Sequence, residues 1–398
     1  MTSEKRIFYM DNVRALAMLL GVFFHAAISY GPAIHEVWFV SDPSNSPVMD
    51  LGAWFSHMFR MPLFFIVAGF FAHLLIRKRG VGGFLKNRAI RILAPFVLFL
   101  PIILAAMLIL MVYAANTIDA KSPLLELIAD NINNPEAEPP PFGTAHLWFL
   151  YNLGWFCVVT VLCVRLKLNF ISRTIDRIFS SPKHLLYLPL LLIPSLFVNA
   201  VPLPAPERIY PEPWSFGYFG LFFLFGWQLF RHPDYLAMIT PYWKPMLGAG
   251  SLLYIGFFLL MPTISLADVL ILPAGYDFSL KHMVQILLEA YSAVFLTLAL
   301  LVLGKNYLNT RHAGLRYIAD ASYWIYIVHL PILFFVQIHL ADVSISIWLK
   351  FLIASGITLI TATISYDLLV RYTPIGRLLN GKKRRATSPS LLRILRHR

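Results

Sequence analysis

The sequence predicts an all-α protein, a polytopic membrane helix bundle of about ten transmembrane helices with both termini cytoplasmic. Three observations lead there. Hydrophobic residues make up 58% of the 398 and charged residues only 13%, with a mean hydropathy of +0.68, far too apolar for a soluble domain of this length. Apolar runs of roughly 20 residues, the length a helix needs to cross hydrocarbon, recur between short polar connections. Hydrophobicity does not alternate within them, which excludes a membrane β-barrel.

In chain order the runs fall near 12–32, 52–76, 92–114, 146–166, 184–201, 214–231, 243–262, 282–303, 320–340 and 345–370. The first is long and starts with Asp11 and Arg14, which marks a retained helix rather than a cleaved signal peptide. Pro189 and Pro194 interrupt the fifth, and the backbone groups they free need partners on neighbouring helices. Cys157 and Cys163 stand six apart on the fourth helix and point to different sides, so they give no disulfide framework. The longest outward connection, 115–145, contains "NNPEAEPPPFG", whose prolines favour extended geometry; it reads as a connector, with a lid over an outward opening as the alternative. Neither a composition shift nor a repeat marks a second domain, so 1–375 is expected to be one membrane domain and 376–398 a basic cytoplasmic tail.

The net charge of +13 follows a topological pattern. Arg77, Lys78, Arg79, Lys86, Arg88 and Arg91 follow the second run, Arg165, Lys167, Arg173, Arg177 and Lys183 the fourth, and Lys305, Arg311 and Arg316 the eighth. The positive-inside rule makes those loops cytoplasmic, and loops with Asp42, Glu126, Asp130, Glu207, Glu212, Asp268 and Asp277 face outward. The tail "GKKRRATSPSLLRILRHR" would rest against the anionic inner leaflet, so membrane lipids are expected partners. It is too short to form a folded basic surface for nucleic acid.

Within the first helix, Arg14 and His25 are eleven residues apart, about three turns, and so lie within roughly 20° of each other and about 16 Å apart along the axis, with Asp11 on nearly the same face. Arg14 can snorkel and pair with Asp11 at i, i+3. A histidine as deep as His25 is different, because ionisable groups inside a membrane face cavities or polar pathways, and imidazole exchanges protons near neutral pH. The second helix carries His57 and Arg60 one turn apart; an interhelical pair between Arg60 and Glu289 and a role in chemistry remain equally open. Arg88 and Arg91, at i, i+3 beside the cytoplasmic interface, can grip phosphates bidentately or serve as ordinary topogenic charge. "HLWFL" places His146 and Trp148 at the outer start of the fourth run, where an interfacial aromatic belt accounts for the tryptophan. His329 stands near mid-membrane in the ninth run, either at a site or bonded to a neighbouring helix. HExxH, zinc-spaced cysteines, a Walker loop and a GxSxG elbow are absent, and no metal site is expected.

Taken in order, these segments resemble the acyltransferase 3 family of integral membrane acyltransferases. "DNVRALAMLLGVFFH" resembles its first-helix signature, an Arg or Lys and a His separated by ten residues, here Arg14 and His25. "PLFFIVAGFF" is similar to the second-helix segment, with Ala68 where Ser is usual, and "NRAIRILAPF" to the Arg-x-x-Arg turn at Arg88 and Arg91. "HLWFL", "FGYFGLFFLFGW" and "SYWIYIVHLP" are similar to later helices, so the resemblance spans about 7–375. Within the family the chain looks most like the branch that succinylates periplasmic glucans.

The resemblance implies O-acyl transfer, succinyl or acetyl, from cytoplasmic acyl-CoA to hydroxyls of a periplasmic or cell-envelope carbohydrate, in a bacterial inner membrane. Acyl-CoA is then a co-substrate, and no bound cofactor is expected. On that footing Arg14, Arg88 and Arg91 hold the donor, and His25 is the general base, supported by Arg14 and Asp11; an acyl-histidine relay is the mechanistic rival. Arg60, His57, His146, Trp148, Glu289 and His329 face the acceptor or the acyl group. A transporter or flippase for an anionic or lipid-linked substrate is the alternative from another class. A scaffold without activity would leave the Arg14 to His25 stripe unexplained.

Overall fold

The computed structural model describes residues 8–132, 134–136, 143–178, 181–270 and 277–381. Most of the basic tail and part of the proline-rich loop, 137–142, lie outside the described residues. The described chain is helical, with one isolated β-bridge between Gly143 and Arg208. Its helices in order are α1 (Phe8–Ile28), α2 (Pro47–Arg88), α3 (Ala94–Thr117), α4 (Pro123–Asn131), α5 (Trp148–Arg165), α6 (Asn169–Ile178), α7 (Ile193–Phe197), α8 (Pro213–Arg231), α9 (Asp234–Ile239), α10 (Trp243–Leu260), α11 (Leu266–Leu270), α12 (Leu280–Tyr307), α13 (Ala313–Leu340), α14 (Ile347–Ser365) and α15 (Pro374–Asn380).

Among the described residues seven helical runs are long and apolar enough to cross a membrane: Phe8–Ile28, Pro47–Thr117, Ala145–Arg165, Asp234–Leu260, Leu280–Tyr307, Ala313–Leu340 and Ile347–Val370. The protein is therefore an integral membrane protein. The run Pro47–Thr117 has 71 residues and would measure about 107 Å if straight, more than three hydrocarbon thicknesses. Its helical geometry breaks at Gly80, whose φ of 67° suits a residue without Cβ, and widens through a π-helical turn at Ala89–Leu93 that leads into α3. The sequence-expected spans 52–76 and 92–114 both lie in that run, and 214–231 is the 19-residue α8. The expected span 184–201 is not one helix: Pro189 and Pro194 each remove a backbone donor, and the chain forms 3₁₀ turns at Pro182–Leu186 and Leu188–Leu192 followed by the five-residue α7.

Local sequence explains the main junctions. Ser46 caps α2 by accepting from the Val48 N–H, and Pro47 takes the first helical position, where its missing donor costs nothing. The hydroxyls of Ser122 and Ser279 do the same for α4 and α12. The helices α2 and α8 approach closely because a Cβ on Gly69 would strike the Phe223 carbonyl and one on Gly226 the Ile66 carbonyl. That approach stacks Phe65 on Phe219, centroids 4.5 Å apart. The interior is formed where α1, α2, α12 and α13 meet, while Val97, Ile102 and Ile109 on α3, Leu252 and Leu259 on α10 and Leu352 and Ile360 on α14 remain exposed as a lipid-facing surface.

Candidate active site

A cavity of about 280 Å³ opens among α1, α2, α5 and α13, with His25, His57, Arg60, His146, Trp148 and His329 in its wall. His25 packs against His329, ring centroids 5.4 Å apart, and His329 against His146 at 5.2 Å. Two of these imidazoles are fixed by backbone carbonyls. The Nδ1–H of His329 donates to the Tyr326 carbonyl at 2.7 Å, and the Nε2–H of His146 donates to that of Ile327 at 3.0 Å, tautomers assigned because a carbonyl can only accept. The second bond exists because Pro331, four residues on, has no N–H to satisfy Ile327 within α13. Nδ1 of His25 is buried without a hydrogen-bond partner.

The wall holds one buried guanidinium. Arg60 is 6% exposed, its Nη1 has no hydrogen-bond partner, and its Cζ lies 4.4 Å from the centre of the Phe24 ring. His57 stacks on the same ring, centroids 5.3 Å apart. Two connections close this end. The segment 29–46 lays Trp38 parallel to His25 at 6.1 Å, with its Nε1–H donating to Ser29 Oγ at 3.1 Å. The segment 198–212 brings Glu207 to the cavity, and its backbone carbonyl accepts from the Thr144 N–H at 2.8 Å. Glu207 is accessible at the surface yet closely surrounded by protein; that desolvation, with the like charge of Glu212, pushes its carboxyl up to about 7.

A second cavity of about 570 Å³ opens at the opposite end of α1, with Arg14, Lys78, Arg79, Arg88 and Arg91 in its wall. Arg14 pairs with Asp11 at 3.6 Å, Arg91 donates to the Leu379 carbonyl at 3.5 Å, and Tyr323 donates to the Arg91 carbonyl at 2.6 Å. Met18, Phe64, Phe149 and Tyr326 belong to the walls of both cavities and so stand between them.

The model of the acyltransferase 3 family, an acyltransferase domain, matches residues 7–368. The chain belongs to that family. Glucans biosynthesis protein C of Escherichia coli K12 is 25% identical over 393 residues, 95% of each chain. The proteins of the same name from Escherichia coli O6:K15:H31 and O1:K1 match to the same extent, 25% over 393 residues. No solved structure matches the chain. Family membership makes this membrane protein an acyltransferase that uses an acyl donor.

Most of the residues expected from the sequence are brought together. His25, His57, Arg60, His146, Trp148 and His329 share the smaller cavity; Asp11, Arg14, Arg88 and Arg91 share the larger one. Ala68 also lines the larger cavity. Glu289 is elsewhere: it lines neither cavity, its Oε1 accepts from the Leu203 N–H at 3.1 Å, and among the described residues no ion pair joins it to Arg60. Of the two readings left open for Arg60, the pair with Glu289 is therefore not formed, and Glu289 Oε2 is buried without a hydrogen-bond partner. Sequence reasoning missed Trp38 and Glu207, which lie in aperiodic connections, and treated Lys78 and Arg79 as topogenic charge alone.

Proposed function

We propose that this chain is an O-acyltransferase of the bacterial inner membrane that moves a succinyl or acetyl group from cytoplasmic acyl-CoA to hydroxyls of a periplasmic or cell-envelope glucan. The observation that carries the reading is the pair of adjacent cavities that share four wall residues, one cationic and the other histidine-lined. The phosphates of the donor bind Arg14, Arg88 and Arg91, with Lys78 and Arg79 beside them, where guanidinium forks suit phosphate oxygens. The slender thioester arm passes Met18, Phe64, Phe149 and Tyr326 and presents its carbonyl near His25. The glucan approaches from the end closed by Trp38 and Glu207. The name of the full-length relatives, glucans biosynthesis protein C, supports a glucan as acceptor.

In the chemical step the acceptor hydroxyl attacks the thioester carbon. A C–O bond forms and the C–S bond breaks. Neutral His25 takes the hydroxyl proton and delivers it to the leaving thiolate, so transfer needs no net proton uptake. His329, with one nitrogen committed to a carbonyl, packs beside His25, and His146 packs in turn against His329. The test is expression of wild type and His25→Ala at equal membrane abundance in a strain lacking its own copy, followed by mass spectrometry of extracted glycans. Acyl substituents should appear with wild type and fall by roughly 10²- to 10⁴-fold with the variant, the usual span of a general base. Equal acylation in both strains would remove His25 from the chemistry.

A further inference from the structure

The connection that carries Glu207 into the wall of the smaller cavity leads, three residues on, to Tyr210, whose ring is 54% exposed. Three residues of chain reach at most about 11 Å, so this ring stands at the rim of that cavity. Its backbone surroundings are tied to α5 and the turn before it. The Glu207 carbonyl accepts from the N–H and the hydroxyl of Thr144, at 2.8 and 2.9 Å, Asn152 donates to the Pro206 carbonyl at 3.3 Å, and Tyr151 donates to that of Ile209. The side chain is held as well. Arg208 donates to the Tyr210 hydroxyl, with its Cζ 5.7 Å from the ring centre. Arg208 Nε lies 3.9 Å from Glu212 Oε1, and that oxygen accepts from the Trp214 Nε1–H at 3.3 Å. An interfacial aromatic belt accounts for a tyrosine at a membrane surface, but not for a guanidinium and a carboxylate that fix its orientation. A ring immobilised while exposed is a pre-organised contact surface, because its ordering is complete before a ligand arrives.

We infer that Tyr210, with Arg208 and Glu212, forms a carbohydrate subsite at the rim of the smaller cavity, which stacks one pyranose ring of the acceptor away from the sugar that reacts. This rests on the acyl-transfer reading given above. A pyranose has a face of C–H groups and an edge of hydroxyls that both donate and accept. The flat, amphipathic tyrosine ring suits the face. The Arg208 N–H groups and the Glu212 carboxylate suit the hydroxyls. The bridge between Gly143 and Arg208 sets the subsite close to Ala145 and His146, which line the same cavity as Glu207. Neither Glu207 nor any residue of the subsite lines the larger, cationic cavity, so the subsite serves the acceptor and not the donor. It favours an oligosaccharide over a short sugar, because only a chain occupies the cavity and the rim at once.

The experiment uses the purified full chain in lipid nanodiscs, with a β-linked glucose disaccharide and a hexasaccharide as acceptors. Calorimetry without donor gives hexasaccharide binding, and transfer is then measured from succinyl-CoA or acetyl-CoA, whichever wild type uses. Tyr210→Ala should weaken hexasaccharide binding and raise its KM by roughly 3- to 10-fold, the worth of one aromatic stacking contact, with kcat/KM for the disaccharide unchanged. Tyr210→Trp, which keeps a stacking face, should bind as wild type does, and Arg208→Met, which frees the ring, should show part of the loss. Hexasaccharide binding equal in wild type and Tyr210→Ala overturns the proposal, as does an equal loss with both acceptors. If Tyr210→Ala does not fold, wild type with the same KM for disaccharide and hexasaccharide overturns it alone. Binding that depends on Tyr210 without transfer from either thioester leaves the subsite standing and overturns the acyl-transfer reading instead.

Discussion

Lys350 of α14 and Asp42 of the 29–46 segment form an ion pair in which both side chains are only 4% exposed. Lys350 also donates to the Ala341 carbonyl at 2.9 Å, and Asp42 Oδ1 accepts from the Ser44 N–H at 3.1 Å. Replacing Lys350 by Met leaves a carboxylate out of water with one backbone donor. Removing one partner of such a pair costs about 3–5 kcal/mol, whereas replacing both charges by neutral groups of similar size is close to neutral. Lys350→Met and Asp42→Asn should therefore each lose about 3–5 kcal/mol, and the double variant should lose less than either single one, a coupling of opposite sign to simple addition. The assay is thermal unfolding of the purified chain in one lipid composition and at one scan rate, with transfer activity measured alongside. Activity should follow the same order, because this segment carries Trp38 against His25. Its other ties, from the Ala33 N–H to Asp50 at 2.7 Å and from the Leu266 N–H to Glu36 at 3.0 Å, hold the segment at different points and do not neutralise Asp42. A double variant as unstable as the sum of the singles refutes the pairing. Singles within about 0.5 kcal/mol of wild type refute the desolvation of the site, since that is the behaviour of solvated surface charges.

Two further outcomes follow from the charges at the two ends. Replacing Arg88 and Arg91 together by Gln should raise the donor KM by roughly 10- to 100-fold, the worth of one or two hydrogen bonds to charged groups, with kcat nearly preserved; an equal effect on a thioester lacking the nucleotide phosphates shows that these residues do not hold them. Glu207 has its folded pKa raised from 4.5 to about 7, so the native state binds the proton more tightly than the unfolded chain. Wild type should therefore lose stability relative to Glu207→Gln as pH rises from below 4.5 to above about 7, with no further change at higher pH. Unfolding midpoints of the two proteins measured from pH 4 to 8 check this, and parallel curves count against it.

What the residues reveal in advance follows from what one helix encodes. The interval from Arg14 to His25 fixes a common face whatever α1 packs against, and the two side chains do lie on one side of the helix, each in a different cavity. Depth is equally legible, but the neighbour at that depth is not. Glu289 of α12 accepts from the Leu203 backbone and does not pair with Arg60 of α2, and no periodicity in either helix carries that information. Trp38 and Glu207 come from connections without a period, so their arrival beside His25 depends on tertiary anchors such as the Asp42 to Lys350 pair and the Thr144 bond to the Glu207 carbonyl.

Proline offers a signal that reaches further than periodicity. Pro331 leaves the Ile327 carbonyl without its intrahelical donor, and a carbonyl stranded inside a membrane must find one on another element. That requirement can be written down from the residues of the ninth run alone, and it already implies that a side-chain donor from elsewhere docks one turn before Pro331, on the stretch that also carries His329. The sequence names no donor, but few side chains near that depth qualify, and the fold supplies His146. Through that bond the 3₁₀ turn Ala145–Leu147 that leads into α5 is held against α13, with the His146 and His329 ring centroids 5.2 Å apart and those of His329 and His25 5.4 Å apart. The same missing N–H that would weaken an isolated helix thus fixes the position of the imidazoles around His25.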